Sequence, residues 1–338
     1  MKTPPPIMKS QKIPSFWRRF SLKKLRFSKI AQSLFYRIQR IKNKKDSQIC
    51  SFGDENPDKT FYVIRRYFYS ESAGHAAIIN HVLIHCAYAD MNGYIPVAEE
   101  KDENAGGNDV FFIQYCLQPS GYSPKDIQKS KNIILSANYP LQDFSVDFFY
   151  DDPANTERFK YFQDIYKKYI KFNGRTLEYM EKDFNRVIGG KKRVLGCLVR
   201  GTDYTLKKPS CHYVQPSAEE VIEKADRVMK EKDCRFIYLA TESEEVYDLF
   251  KRHFGGSLLV NSQKRFNEND LKGVIYLAQV KERRKNDRYL TGLEYFSSLN
   301  ILSKCDCLIG GRNGGTMAAY MMGGGFEYSY IWNLGVYP

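Results

Sequence analysis

Arg193-Val194-Leu195-Gly196-Cys197-Leu198-Val199-Arg200-Gly201-Thr202-Asp203-Tyr204 is an apolar run that breaks off into charge. Its length and aliphatic composition, entered through Gly189-Gly190-Lys191-Lys192, read as a buried strand with a charged loop at its carboxyl end. Further along, Ser217-Ala218-Glu219-Glu220 is a capping box, and the helix behind it buries Val221, Ile222, Ala225, Val228 and Met229. A strand over 235–240 follows, then a helix over 242–254 and a strand over 257–260. A helix over 295–303, a strand over 307–310 and a helix opening at 316–322 complete the series. Such alternation implies a parallel sheet with helices on both faces.

Working back from the same stretch, residues 156–187 are helical and broken near Asn173-Gly174, and 99–155 mix loops with a short strand over 133–135. The run 59–69 reads as a strand, 70–75 as a tight small-residue turn, 76–89 as a helix and 94–98 as a strand, which makes a βαβ unit. The polar residues 46–58 read as a linker. The expected organisation is a basic amphipathic arm and linker (1–58), an α/β domain (59–188) and a second Rossmann-like domain (189–338), with a cleft between the two domains.

The chain has 338 residues, of which 43% are hydrophobic and 14% aromatic, too apolar for a disordered chain. No run of 18 apolar residues exists, so no ordinary transmembrane helix is expected. Eight Cys without a CxxC pair or Cys/His spacing point away from a zinc site or a disulfide framework, and toward a reduced, cytoplasmic protein. The formal net charge of +13 is concentrated at one end. Residues 1–45 carry 14 Lys or Arg and no acid, whereas the other 293 residues carry 38 basic and 39 acidic ones. A nucleic-acid enzyme more often spreads positive charge along a groove of its folded body.

Within the arm, Phe16, Phe20, Phe27, Ile30, Leu34, Ile38 and Ile41 recur at helical spacing, with cations around the remainder. Such a helix, over residues 16–42, suits an anionic membrane surface on the inner face of the cell membrane, apolar side down. Charge interrupts the apolar residues too often for a signal peptide. Packing on the body and binding to nucleic acid are the alternatives.

Three clusters stand just past strands, where open α/β sheets bind ligands. Arg200-Gly201-Thr202-Asp203 offers a guanidinium that can fork onto phosphate oxygens, or a loop closed by an Arg–Asp pair. Gly310-Gly311-Arg312-Asn313-Gly314-Gly315-Thr316 lets a backbone and a helix N-terminus approach an anion, without being a Walker loop or GxGxxG. Thr241-Glu242-Ser243 could cap a helix or reach a sugar or ribose. In the first half, Glu71-Ser72-Ala73-Gly74-His75 has a similar strand-to-helix position and would face an acceptor. No DxD pair for metal-assisted nucleotide binding is present, so a diphosphate would be neutralised by Arg and helix N-termini.

These residues resemble a family. Leu198-Val199-Arg200-Gly201-Thr202-Asp203, with His212 twelve residues after Arg200, is similar to a motif of the fucosyltransferase superfamily. That superfamily includes α1,6-fucosyltransferases, rhizobial chito-oligosaccharide fucosyltransferases and protein O-fucosyltransferases. Ala240-Thr241-Glu242-Ser243 looks like its second motif, and Leu302-Ser303-Lys304-Cys305-Asp306 with the 310–316 loop looks like its third. The stretch Gln118-Pro119-Ser120-Gly121-Tyr122 is similar to bacterial relatives encoded with polysaccharide assembly enzymes.

The resemblance implies a GT-B fold and an inverting, metal-independent transfer of fucose from GDP-fucose, without a cofactor, to a glycan acceptor, lipid-linked if the arm holds the enzyme at a membrane. Arg200 would hold the diphosphate and stabilise the leaving group. Thr202, His212, Thr241, Glu242 and Arg312 would shape the donor site, completed by Asn313, Gly314, Gly315 and Thr316. Ser72, Gly74 and His75 would lie on the acceptor side. Glu71, His75 or Asp203 would supply the base. The chain departs from the family at Gly201 (a second Arg), Tyr204 (Lys), Lys208 (the proposed base), Asn313-Gly314 (a Ser pair) and Ser298 (a guanine-reading Asp). The rival expectation is a GT-B-like binding protein that has lost its base and carries a partner- or nucleic-acid-binding arm.

Overall fold

The computed structural model describes residues 47–65, 75–99, 112–137, 140, 157–209, 212–274, 277, 280 and 284–337. The expected arm, Glu71, Ser72 and Gly74 lie outside the described residues.

The first sheet holds β1 (Gln48–Cys50), β2 (Glu55–Ile64), β3 (Ile95–Ala98) and β4 (Ser130–Leu135), in the order β1-β4-β2-β3. β2 runs parallel to β3 and β4, and only β1 is antiparallel. Helix α1 (His75–Met91) joins β2 to β3 and completes the βαβ unit that the sequence led us to expect. The polar stretch 46–58 is not only a linker. It contains β1 and the first residues of β2, because pairing with β4 supplies the hydrogen bonds that its composition does not advertise.

Two helices follow, α2 (Glu157–Tyr169) and α3 (Gly174–Val187). They are separated at Asn173, whose side chain caps α3 by accepting from the Thr176 amide. Although α3 precedes the Gly189-Gly190 break, it packs on the second unit, and Asp183 takes a 2.6 Å hydrogen bond from Ser297.

The second unit alternates as its sequence implies. It runs β5 (Val194–Leu198), α4 (Ala218–Glu231), β6 (Phe236–Ala240), α5 (Glu244–Phe254) and β7 (Leu258–Leu259). After these come α6 (Asp287–Ser303), β8 (Cys307–Gly311), α7 (Gly314–Met322) and β9 (Tyr328–Trp332). All five strands are parallel, in the order β7-β6-β5-β8-β9. Helix α6 begins eight residues earlier than its apolar pattern suggests, and β9 adds a strand beyond those in the sequence pattern.

The period of two along these strands divides the core. Leu195, Cys197, Ile237, Leu239 and Ile309 point to one face and pack with Val221, Ala225, Val228 and Phe250 of α4 and α5. Val194, Leu198, Tyr238 and Leu308 point to the other, where Phe296, Leu299 and Leu302 of α6 lie. That second cluster is continuous through Tyr166 and Phe162 of α2 and Leu83 of α1 to Tyr62 and Ile64 of the first sheet. One hydrophobic layer therefore ties the two units together behind their carboxyl edges.

Candidate functional site

The strand order places a topological switch point between β5 and β8, since the chain leaves β5 toward β6 and later returns to β8 on the other side. Open parallel sheets bind ligands outside the carboxyl ends at such a point. Both strands end there in the clusters singled out above: Arg200 to Asp203 after β5, and Arg312 to Thr316 after β8.

Arg200 is held from three sides. Its Nη2 lies 2.5 Å from Asp203 Oδ1, its Nε 3.2 Å from Glu242 Oε1, and its guanidinium carbon 4.5 Å from the centre of the Tyr204 ring. The Nε contact is not aligned as a hydrogen bond. Burial works against the charge, and the Glu242 and Asp203 carboxylates more than reverse that, raising the pKa of Arg200 above its ordinary value. Both carboxylates are fixed in turn. Glu242 Oε1 accepts from Thr202 Oγ1 at 2.8 Å and from the Gly201 amide at 3.2 Å. Asp203 accepts from the Tyr204 amide on Oδ1 and from the Leu277 amide on Oδ2, each at 3.0 Å. His212 meets the Tyr204 ring edge-on, with centroids 5.1 Å apart, which extends the row His212–Tyr204–Arg200. The structure thus brings Arg200, Thr202, Asp203, His212 and Glu242 together.

Thr241 has a different place from the cap considered above. Ser243 caps α5 by accepting from the Val246 amide, while Thr241 Oγ1 accepts from the Ser243 amide and stays buried.

The second cluster is internally bonded. Asn313 Oδ1 accepts from the Thr316 amide at 3.0 Å, and Thr316 Oγ1 donates to the Gly311 carbonyl at 2.8 Å. Gln215 donates to the Arg312 carbonyl at 2.9 Å and accepts from Asn313 Nδ2 at 3.0 Å. Asn313 and Thr316 therefore shape the head of α7 with their side chains, and what this head can offer a ligand is its backbone amides and dipole. A Cβ on Gly311 would lie 2.2 Å from Gln215 Oε1, and one on Gly315 would lie 2.9 Å from Leu198 Cδ1, so a side chain at either position would have to displace Gln215 or Leu198. Arg312 is buried, with its guanidinium carbon 5.3 Å from the Tyr213 ring centre.

The first turn of α1 meets the first turn of α7, since a Cβ on Gly314 would stand 3.3 Å from Ala76 Cβ. His75 lies at this meeting point among Tyr115, Tyr295 and Phe296, with ring centroids 5.7, 6.0 and 5.9 Å away. Burial pushes its pKa down to about 4, against a hydrogen bond to the Arg288 backbone, so the ring is neutral near pH 7. Ser298 is closed off: it is buried and its Oγ is 3.1 Å from Tyr238 Oη.

Sequence reasoning missed Gln215, which orders the α7 head from almost a hundred residues away, and Tyr295, whose hydroxyl lies near Gly315. It also missed Arg265, a lone arginine in a polar loop. The one signal pointing to Arg265 is its place after a strand.

No family model matches the chain, and no curated protein matches it. Among solved structures, the chain is similar to the fucosyltransferase NodZ from Bradyrhizobium, at 11% identity and a TM-score of 0.44, covering 78% of this chain and 94% of that one. It is similar to a NodZ α-1,6-fucosyltransferase soaked with GDP-fucose, at 12% identity and a TM-score of 0.42, over 78% and 93% of the two chains. It is also similar to POFUT1 in complex with GDP, at 11% identity and a TM-score of 0.36, over 82% and 74%. These structural neighbours are fucosyltransferases.

Proposed function

We propose that the protein is a nucleotide-sugar glycosyltransferase: an inverting, metal-independent enzyme that moves fucose from GDP-fucose to a glycan acceptor in bacterial surface polysaccharide synthesis. The observation that carries this reading is Arg200, fixed at the switch point beside the head of α7. Its motif residues Thr202, Asp203, His212, Thr241 and Glu242 support the family resemblance on which the choice of fucose rests. Two units with parallel sheets suit a GT-B architecture, with the acceptor on the first and the donor on the second.

In this reading the acceptor hydroxyl oxygen bonds to the sugar anomeric carbon as the bond from that carbon to the diphosphate breaks. Arg200 and the α7 amides take the charge that develops on the leaving diphosphate. Asp203, whose oxygens already receive Arg200 and two backbone amides, acts as a positioning residue. The proton of the acceptor is assigned to Glu71 or to His75, whose ring is neutral near pH 7.

The direct experiment is a donor screen by calorimetry with GDP-fucose, other nucleotide sugars and free nucleotides. Binding of GDP-fucose together with fucose transfer is the expected result, and binding of none of them would favour the non-catalytic alternative. Activity should survive EDTA, because the sequence has no DxD pair and the two carboxylates at this site, Asp203 and Glu242, are both turned to Arg200. A strict need for manganese or magnesium would overturn the metal-free reading.

The arm is assigned to an anionic membrane surface. Among the described residues no helix is long and apolar enough to cross a membrane. The intact protein should sediment with vesicles containing anionic lipid, less so as salt rises, since charge is screened over ~10 Å at 0.1 M. The protein without residues 1–45 should remain folded and stay in the supernatant. Equal sedimentation of both forms would end the assignment. Tight binding of RNA or DNA with a steep salt slope would move the arm to nucleic acid.

A further inference from the structure

We infer that Arg265, with Asn261, reads the base of the bound nucleotide, and that the edge it reads is N7, O6 and N1–H of guanine. This rests on the nucleotide-sugar reading above. Arg265 lies on the loop after β7, at the carboxyl edge of the second sheet. That loop is tied to the Arg200 site through Phe266, whose amide donates to the Glu242 carbonyl at 2.8 Å and whose carbonyl accepts from the Glu244 amide at 3.0 Å. Strands are spaced by about 4.8 Å, so β7 stands roughly 10 Å from β5. This matches the reach from a 5′-diphosphate at Arg200 to the far edge of its base.

The chemistry of Arg265 sets it apart from Arg200 and Arg284. Arg200 and Arg284 each face two carboxylates. Among the described residues no carboxylate lies within ion-pair distance of Arg265. Its guanidinium lies 4.5 Å over the Tyr247 ring, and among the described residues it donates to the Gln263 and Asn261 carbonyls, at 3.3 and 3.4 Å. Its Nε is buried with no acceptor among the described residues. Asn261, on the same loop, is 3% exposed. Its Nδ2 donates to the Glu294 carbonyl at 3.3 Å, while its Oδ1 is buried with no donor among the described residues. Open buried polar groups are rare in native proteins and call for an explanation. Here an open donor and an open acceptor stand together beside the nucleotide site.

A guanidinium fork takes two neighbouring acceptors, and guanine O6 and N7 are the pair that arginine reads most often. N1–H follows O6 along the same edge and supplies a donor for Asn261 Oδ1. Adenine places a donor where O6 would be, and uracil places one between its two carbonyls. Ser298 cannot take this role, because its hydroxyl is buried against Tyr238.

Calorimetry on the full chain tests the assignment with GDP, inosine diphosphate, 7-deaza-GDP, ADP and CDP. Inosine diphosphate should bind within about two-fold of GDP, since it keeps N7, O6 and N1–H, and 7-deaza-GDP should bind about ten-fold more weakly. Arg265→Met should weaken GDP roughly ten- to a hundred-fold and erase the preference for GDP over ADP. Arg200→Ala, by contrast, should weaken every diphosphate alike. Wild-type affinity for 7-deaza-GDP, or an intact GDP preference in Arg265→Met, overturns the base assignment while the Arg200 result still stands. The first of these needs no variant. A preference for CDP overturns guanine, and failure of the native chain to bind any of the five removes both readings.

Discussion

Arg200→Ala is expected to abolish sugar transfer and to weaken GDP binding by roughly 1.5–3 kcal/mol, the range for losing a charge-assisted hydrogen bond. It should also cost stability. Two carboxylates face this one guanidinium, and removing the cation leaves Asp203 and Glu242 without it. Breaking a fully buried pair costs about 3–5 kcal/mol. Arg200 keeps 21% of its side chain exposed, and both acids retain backbone or hydroxyl donors. A loss of roughly 1–3 kcal/mol is therefore expected here. Arg200→Lys separates the two effects. It keeps the positive charge between the acids, so the melt should stay near wild type, but a compact ammonium cannot fork onto a phosphate, so transfer should remain poor. Calorimetric GDP titration beside a denaturant curve for each variant measures both. Wild-type GDP affinity in Arg200→Ala would remove the diphosphate assignment.

The same residue shows what a sequence can and cannot give away. Val194 to Val199 announces a strand because every residue in it is apolar, and the charge that follows announces a loop at a carboxyl end. That is local information, and alternation of strand and helix carries it through the whole second unit. Ser217 and Glu220 likewise reveal the start of α4 through a local reciprocal bond. The partners of Arg200 are another matter. Asp203 is three residues away and was visible as a pair, but Glu242 reaches Gly201 and Thr202 from the end of a neighbouring strand, and only the parallel pairing of β5 with β6 brings it there. Gln215 is further still from the loop it orders. Two of the four edge strands, β1 and β9, are not legible in the sequence: they are short or half-exposed, and their pairing depends on neighbours rather than on pattern. Arg265 was silent because nothing in a polar loop distinguishes a charge with a carboxylate partner from one without.

Gly201 gives the second large effect. The family motif that this stretch resembles has a second arginine at this position, so Gly201→Arg looks like a repair. The structure predicts damage instead. A Cβ at 201 would lie 2.5 Å from both Ser243 Cβ and Val246 Cγ2, and 2.7 Å from Ser243 Oγ. Neither neighbour is the free end of a long side chain. Ser243 is the N-cap of α5, and Val246, in its first turn, is buried in the core under the sheet. Room for a methyl group can come only from moving the helix start, which strains the core and pulls Ser243 Oγ from the Val246 amide. Overpacking of this kind costs about 1–3 kcal/mol and loss of a cap about 1 kcal/mol. Gly201→Ala should therefore lose roughly 2–4 kcal/mol, and Gly201→Arg should be worse. Gly256→Ala is the control, since no atom lies within 4 Å of its added Cβ and it should melt like the native protein. Because Gly201 also donates its amide to Glu242, the displaced loop should carry Arg200 out of register, so residual folded Gly201→Ala should bind GDP more weakly than its folded fraction accounts for. Denaturant unfolding of the three variants decides the matter: a Gly201→Ala protein as stable as Gly256→Ala would mean that α5 yields freely, and that the missing arginine is a matter of sequence history rather than of space.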